Sequence, residues 1–308
     1  MNSGYLPNKP CQLLSEKQSI WVFRLLQCAA VCVLAGRAYQ HFFWDAPYRA
    51  ILWDESLMRP WLEWGFGISW KEYAGDLRVD RAIQAGMKVI GSIFGLSALV
   101  AAFPRVFPPR AWKILIVSSG LLLILALLYY KEQNYQFGMF IEYALQVCTP
   151  FFFYKRLVKG DVNISRERFI RWATALTFAG HGLYAVGFYP RPGHFTVMVI
   201  NALHIPVDWA NQVLWAAGIL DFLAAFWLLI PVPGRRIFIW YCIIWGFATS
   251  IARIWANFYP QFWLSALHQW LFEFVYRSPH FLIPMALLFL NGGEQYRKRR
   301  RRKQRVKD

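Results

Sequence analysis

Residues 177–190 read TFAGHGLYAVGFYP, and residues 33–47 read VLAGRAYQHFFWDAP. In both stretches an Ala-Gly pair precedes one ionisable residue, His181 in the former and Arg37 in the latter. Both then run into aromatic residues and a proline. What surrounds these stretches decides how they fold.

The chain around them has 308 residues, 57% hydrophobic, 19% aromatic and 17% charged, which is too apolar for a soluble domain of this length. Apolar runs recur at 18–43, 82–103, 111–130, 136–154, 169–189, 210–231, 236–258 and 265–290. Each is close to the roughly 20 residues a helix needs to cross about 30 Å of hydrocarbon. Runs this long favour spanning helices over buried strands. They predict an all-α polytopic membrane protein with about eight transmembrane helices.

The net charge of +17 invites a nucleic-acid reading until the basic residues are located. They fall on alternate connections: Lys9, Lys17 and Arg24; Arg105, Arg110 and Lys113; Lys155 to Arg171; Arg235 and Arg236; and the tail RKRRRRKQRVK. The other connections are poorer in Lys and Arg, and seven acids offset the first of them. The positive-inside rule then puts both termini in the cytoplasm, as for a bacterial inner-membrane protein. The tail 294–308 has no aromatic residue but Tyr296 before its basic run, so it reads as an anchor to anionic lipid and no nucleic-acid partner is expected. Cys11, Cys28, Cys32, Cys148 and Cys242 lie on the cytoplasmic side or in inner half-spans, without a CxxC pair. The first span is longer than a signal h-region, and no cleavable signal peptide is expected.

Self-comparison extends the opening similarity. Val79, Asp80 and Gln84 align with Val207, Asp208 and Gln212; Gly120 aligns with Gly246; Glu142 and Gln146 align with Glu273 and Arg277. The expected organisation is two parallel four-helix repeats, 1–160 and 161–293, followed by the tail. A Trp-rich outer loop, 45–80, carries or borders Trp44, Trp53, Trp61, Trp64 and Trp70. It reads as a short amphipathic helix at the membrane interface or as a lid over the bundle.

A charge at mid-membrane costs roughly 2.5 to 3.5 kcal/mol on insertion scales, so each needs a partner or a purpose. The second repeat holds His181, Asp221, Arg253, Glu273, Arg277 and His280, and His268 shares the last helix. Glu273, Arg277 and His280 are spaced to stack on one helix face, with Glu273 placed to pair with Arg277. As plain ion pairing, Asp221 takes Arg253 or Arg277 and Glu273 takes the other. The first-repeat counterparts are Arg37, His41 and Glu142, in a half that reads as a scaffold or as half of a shared site. The bland alternative for all of them is ion pairing that only holds the bundle together. No zinc spacing, Gly-rich phosphate loop or nucleophile elbow is present, so no metal site is expected. A bis-histidine haem would need His181 and His268 at one depth and is not expected.

The AGHG turn (Ala179 to Gly182), the run AAGILDFLAAFWLLIP (Ala216 to Pro231) and the basic turn Gly234 to Arg236 resemble the DoxX-like families of small four-helix membrane proteins. The resemblance covers roughly 165–290 and, more faintly, 20–155. It implies a four-helix bundle and, for some members, association with quinone-linked oxidases or thiosulfate oxidation. It transfers no catalytic residue, and this chain has Asp221 where the family pattern has glutamate. Three functions stay open: a quinone-linked membrane redox subunit working with other membrane subunits, with the headgroup near His181, Asp221 and Glu273; a proton-coupled or lipid-handling transporter; and a structural assembly factor.

Overall fold

A computed structural model describes residues 14–160, 162, 164–230 and 234–290. The basic tail and its lipid-anchoring role lie outside the described residues. The helices in chain order are α1 (Glu16–Phe43), α2 (Arg49–Leu52), α3 (Glu55–Phe66), α4 (Trp70–Gly75), α5 (Leu77–Ala102), α6 (Ile114–Glu132) and α7 (Phe137–Glu142). They continue as α8 (Ala144–Lys159), α9 (Ile164–Ala185), α10 (Gly193–Leu203), α11 (Val207–Leu229), α12 (Arg235–Trp255), α13 (Trp263–Arg277) and α14 (279–290). No strand occurs among the described residues.

The core is built on α1. It opens on a capping box, with Ser15 Oγ accepting from the Gln18 amide and Gln18 Oε1 accepting from the Ser15 amide. Val22, Leu26, Ala29, Ala30, Val33 and Leu34 then bury completely against α5, α8 and α13. The second half centres on α9, which packs on α11, α7 and α8. Two contacts reach far along the chain: α1 packs on α13, and α9 packs on α7.

Five helical stretches among the described residues are long and apolar enough to cross a membrane: α1, α5, α6 with its leading turn (Ala111–Glu132), α11 and α12. Their outer surfaces expose Leu123, Ile124 and Leu127 on α6, Leu223 and Phe226 on α11, and Ile237 and Ile244 on α12. Exposing apolar area to water costs about 25 cal/mol per Å². These faces suit an integral membrane protein, with hydrocarbon as their solvent.

Two predicted spans are interrupted. α7 stops at Glu142 and α8 resumes at Ala144; α13 stops at Arg277 and α14 resumes after Ser278. At each break the backbone closes on the residue three before it, Tyr143 N to Phe140 O at 3.3 Å and Ser278 N to Val275 O at 3.2 Å. Glu273 and Arg277 thus share a helix that His280 does not.

The loop between α1 and α5 holds the expected short helix. Asp54 caps α3, whose last turn ends on Gly67 in the left-handed region, at a φ of 67°. Trp64 is 92% exposed, beside exposed Trp61 and Phe66. Asp54 pairs with Lys131 at 2.5 Å, and Arg49 joins Asp45 (2.7 Å) to Asp80 (2.6 Å). α2 to α4 are thereby tied to the ends of α5 and α6, at the end of the bundle opposite Ser19 and Arg156. That end, which also carries α10, is the distal end.

Candidate functional site: a polar cluster between two cavities

Gly180 brings α9 so close to α7 that a methyl group there would lie 2.7 Å from Glu142 N and 2.8 Å from Gly138 O. Gly182 meets Gly218 of α11 in the same way, 3.1 Å from its carbonyl oxygen. The ionisable side chain between these glycines is therefore delivered into a helix contact. His181 Nδ1 lies 3.6 Å from Glu142 Oε1, and its ring meets the His280 ring edge-on at 5.4 Å between centres. Glu142 is buried and accepts a 3.3 Å hydrogen bond from Arg277 Nη1. Arg253 Nε donates to Glu273 Oε2 at 2.6 Å, and Arg253 Nη1 donates to Thr249 O at 3.2 Å.

Arg37 occupies the corresponding place on α1. A methyl group at Gly36 would lie 2.7 Å from Tyr276 N and 3.0 Å from Phe272 O. The fully buried guanidinium sits 3.8 Å from the Tyr276 ring centre, with Tyr143 at 5.2 Å and Tyr129 at 5.7 Å. Gln146 Oε1 accepts from its Nε (3.2 Å) and Nη2 (2.5 Å), and Gln40 Oε1 accepts from Nη1 (2.6 Å). His41 is one turn on: Nδ1 lies 2.7 Å from Arg37 O and Nε2 3.0 Å from the Tyr48 hydroxyl.

The ion pairs match the expected ones only in part. Glu273 pairs with Arg253, one of the two arginines open to it, because α12 lies beside α13 and brings Arg253 to it. Arg277 instead reaches across to Glu142, so the first half contributes an acid to the second half's cluster. Asp221 pairs with neither arginine; buried in α11, it accepts from the Tyr241 hydroxyl at 2.8 Å. His268 is exposed and engages the Tyr39 hydroxyl and the Trp44 ring, a different set of neighbours from those of His181. Among the described residues no group of three His, Cys, Asp or Glu side chains is placed to hold a metal ion.

Two cavities flank the cluster. A chamber of about 310 Å³ lies among α9, α10, α11 and α12; its walls are largely apolar, and His181, Asp221, Arg253, Arg277 and His280 form its polar side. A vestibule of about 400 Å³ lies toward the distal end, bordered by Glu132, Glu142, Glu273, Arg253 and Arg277. α10 lines both through Phe195 and Met198. Among the described residues Arg277 Nε and His280 Nε2 are buried without a hydrogen-bond partner, although both residues border the chamber. Apolar walls with a few convergent polar groups are the usual form of a small-molecule site.

Sequence reading missed the tyrosine cage around Arg37 and the Tyr241 hydroxyl on Asp221. Their signal is faint, since tyrosines at helix spacing are ordinary core residues. Comparison with protein-family models, curated proteins and solved structures returns no match for this chain.

Proposed function

We propose that this chain is a membrane subunit of a quinone-linked redox system, and that the chamber binds the quinone-type headgroup. One observation carries the reading: Arg277 Nε and His280 Nε2 are buried and unpartnered beside a chamber with apolar walls. A quinone carries two carbonyl acceptors across one ring, with an apolar tail. Leaving a buried donor unmet costs about 1 to 3 kcal/mol, and such a ligand would satisfy it once a small side-chain turn brings the donor to the chamber wall. Asp221, hydrogen-bonded to the Tyr241 hydroxyl and the Trp245 side chain, and His181 add groups able to exchange protons with a reduced headgroup. Electrons would come from or go to another membrane subunit.

We read the scaffold as two parallel DoxX-like four-helix units with eight spans and both termini cytoplasmic. Matched contacts support the duplication. Gly36 against Phe272 and Tyr276 parallels Gly180 against Gly138 and Glu142, and His41 against Gly91 parallels Ala185 against Gly218. Arg37 with Gln146 parallels His181 with His280. An offset of 144 relates positions 36, 37 and 41 to 180, 181 and 185, and 134 relates 138, 142 and 146 to 272, 276 and 280. In this register Glu142 answers to Tyr276 rather than Glu273.

The test is thermal unfolding of the purified protein with short-tailed ubiquinone and menaquinone analogues. Ligand at about 100 times its Kd stabilises by roughly 2.7 kcal/mol. The expected result is a rise in Tm that Asp221→Asn and His280→Ala reduce; no shift with either analogue sinks the reading. A proton-coupled or lipid-handling transporter is the second reading, favoured because Arg253 and Arg277 border both cavities. Uptake into vesicles that disappears in Glu273→Gln would replace the first reading with the second.

A further inference from the structure

The two cavities are separated by a short line of titratable groups. Glu142 borders the vestibule, His181 and His280 border the chamber, and the contacts run Glu142 to His181 at 3.6 Å and His181 to His280 at 5.4 Å between ring centres. The first distance is a few tenths of an ångström beyond a hydrogen bond and closes with a small side-chain shift. Among the described residues His280 Nε2 has no hydrogen-bond partner, and His280 is tied to the Arg277 backbone, so it flanks the line without carrying a proton along it. From this placement we infer that Glu142 and His181 form a proton-exchange relay connecting the chamber with the vestibule at the distal end.

The step is a proton transfer with no electron moved. A hydroxyl in the chamber gives its proton to His181, and His181 gives one through Nδ1 to Glu142. The Glu142 carboxyl releases a proton to vestibule water. One proton leaves the chamber and one enters the vestibule. An imidazole suits the middle position, His181, because its two nitrogens accept and donate at opposite edges.

The other half shows what the same position looks like without this role. Arg37 keeps its proton at any pH a protein survives, Gln146 does not titrate, and Arg37 is in the wall of neither cavity. The matched positions are thus one fixed charge in a sealed aromatic cage and one titratable pair between two spaces.

The charged and titratable groups around the relay come from every neighbouring element. Glu142 is faced by His181 and Tyr184 from α9, Arg277 from α13 and Arg253 from α12, with Tyr143 adjacent in the chain. His181 is faced by Glu142, Arg253, Arg277 and His280, and Asp221 of α11 shares the chamber. His194 of α10 borders the vestibule.

The inference rests on the chamber being a ligand site, but its test needs no ligand. Protein carrying ¹³C-glutamate and ¹⁵N-histidine is held in nanodiscs while infrared difference spectra are recorded as the buffer moves from about pH 8 to 4. The expected result is a carboxyl band absent in Glu142→Gln, together with an imidazole response that the same substitution alters. An imidazole response identical in wild type and variant, or no response from either group in the folded wild type, overturns the relay. If Glu142→Gln does not fold, His181→Asn gives the reciprocal comparison: the Glu142 band must shift. Binding of the short-tailed ubiquinone is measured separately. Binding with no infrared response sinks the relay alone, and a response with no binding sinks the ligand reading alone.

Discussion

The guanidinium carbon of Arg37 lies 3.8 Å from the ring centre of Tyr276, and among the described residues no carboxylate pairs with it. Its charge is held by ring faces and by two amide oxygens, a set that no ion-pair rule would select. A cation over a desolvated aromatic face gains about 2 kcal/mol, comparable with the cost of burying the charge.

Arg37→Ala is therefore expected to destabilise the protein by about 2 to 4 kcal/mol, since it empties the cage and leaves Gln146 and Gln40 unmet. Arg37→Lys falls between, because an ammonium cannot fork to Gln146 through two nitrogens. Chemical unfolding in detergent, followed by tryptophan fluorescence, ranks the three proteins.

The glycines divide sharply. Gly36→Ala and Gly180→Ala each drive a methyl group to 2.7 Å from a backbone nitrogen of the facing helix, with an expected loss of about 1 to 3 kcal/mol. Gly120→Ala meets nothing within 4 Å and gains helix propensity, so it is neutral or stabilising by up to about 1 kcal/mol. Equal Tm losses at all three positions would contradict the close approaches described.

Arg253 and Glu273 should behave as a unit. Removing Glu273 leaves the buried Arg253 charge unpaired, at a cost of about 3 to 5 kcal/mol, and removing Arg253 leaves a half-buried carboxylate at a smaller cost, whereas replacing both by methionine removes the desolvation penalty along with the attraction. The expected order of stability is wild type close to Arg253→Met/Glu273→Met, with both single variants below. A double variant no better than the worse single variant would show that the pair does not couple.

The strap at the distal end should respond to acid. The Lys131 ammonium hydrogen-bonds Asp54 and holds its carboxyl down at about 2. An acid whose folded value lies below its unfolded value, about 4, stabilises fully above that value. Its contribution fades as the pH falls toward about 2. Hydrogen exchange over 49–75 should accelerate across that window, and Asp54→Asn should show the fast exchange already at neutral pH.

Much of this arrangement was legible in the chain. Apolar run lengths place the helices, and an Ala-Gly pair before Arg37 and before His181 marks both close contacts, since a helix seldom keeps glycine unless another backbone comes near. The pairing of charges was not legible. Spacing within one helix favours Glu273 with Arg277, but packing between halves, together with the breaks at Tyr143 and Ser278, sends Arg277 to Glu142. Asp221 was misjudged for a related reason: a tally of charges overlooks hydroxyls, and Tyr241 supplies its partner.

The Glu142–Arg277 contact joins residues 135 positions apart in the chain. At about 5 to 20 residues per second, a ribosome makes Arg277 roughly 7 to 27 s after Glu142. For that interval α7 must wait at the membrane surface, stay inside the insertion machinery or carry its acid protonated. Completion of the Glu142 site thus depends on arrival of the second half, and a chain stopped after α8 leaves an uncovered acid, without His181 or Arg277, that cellular quality control can recognise.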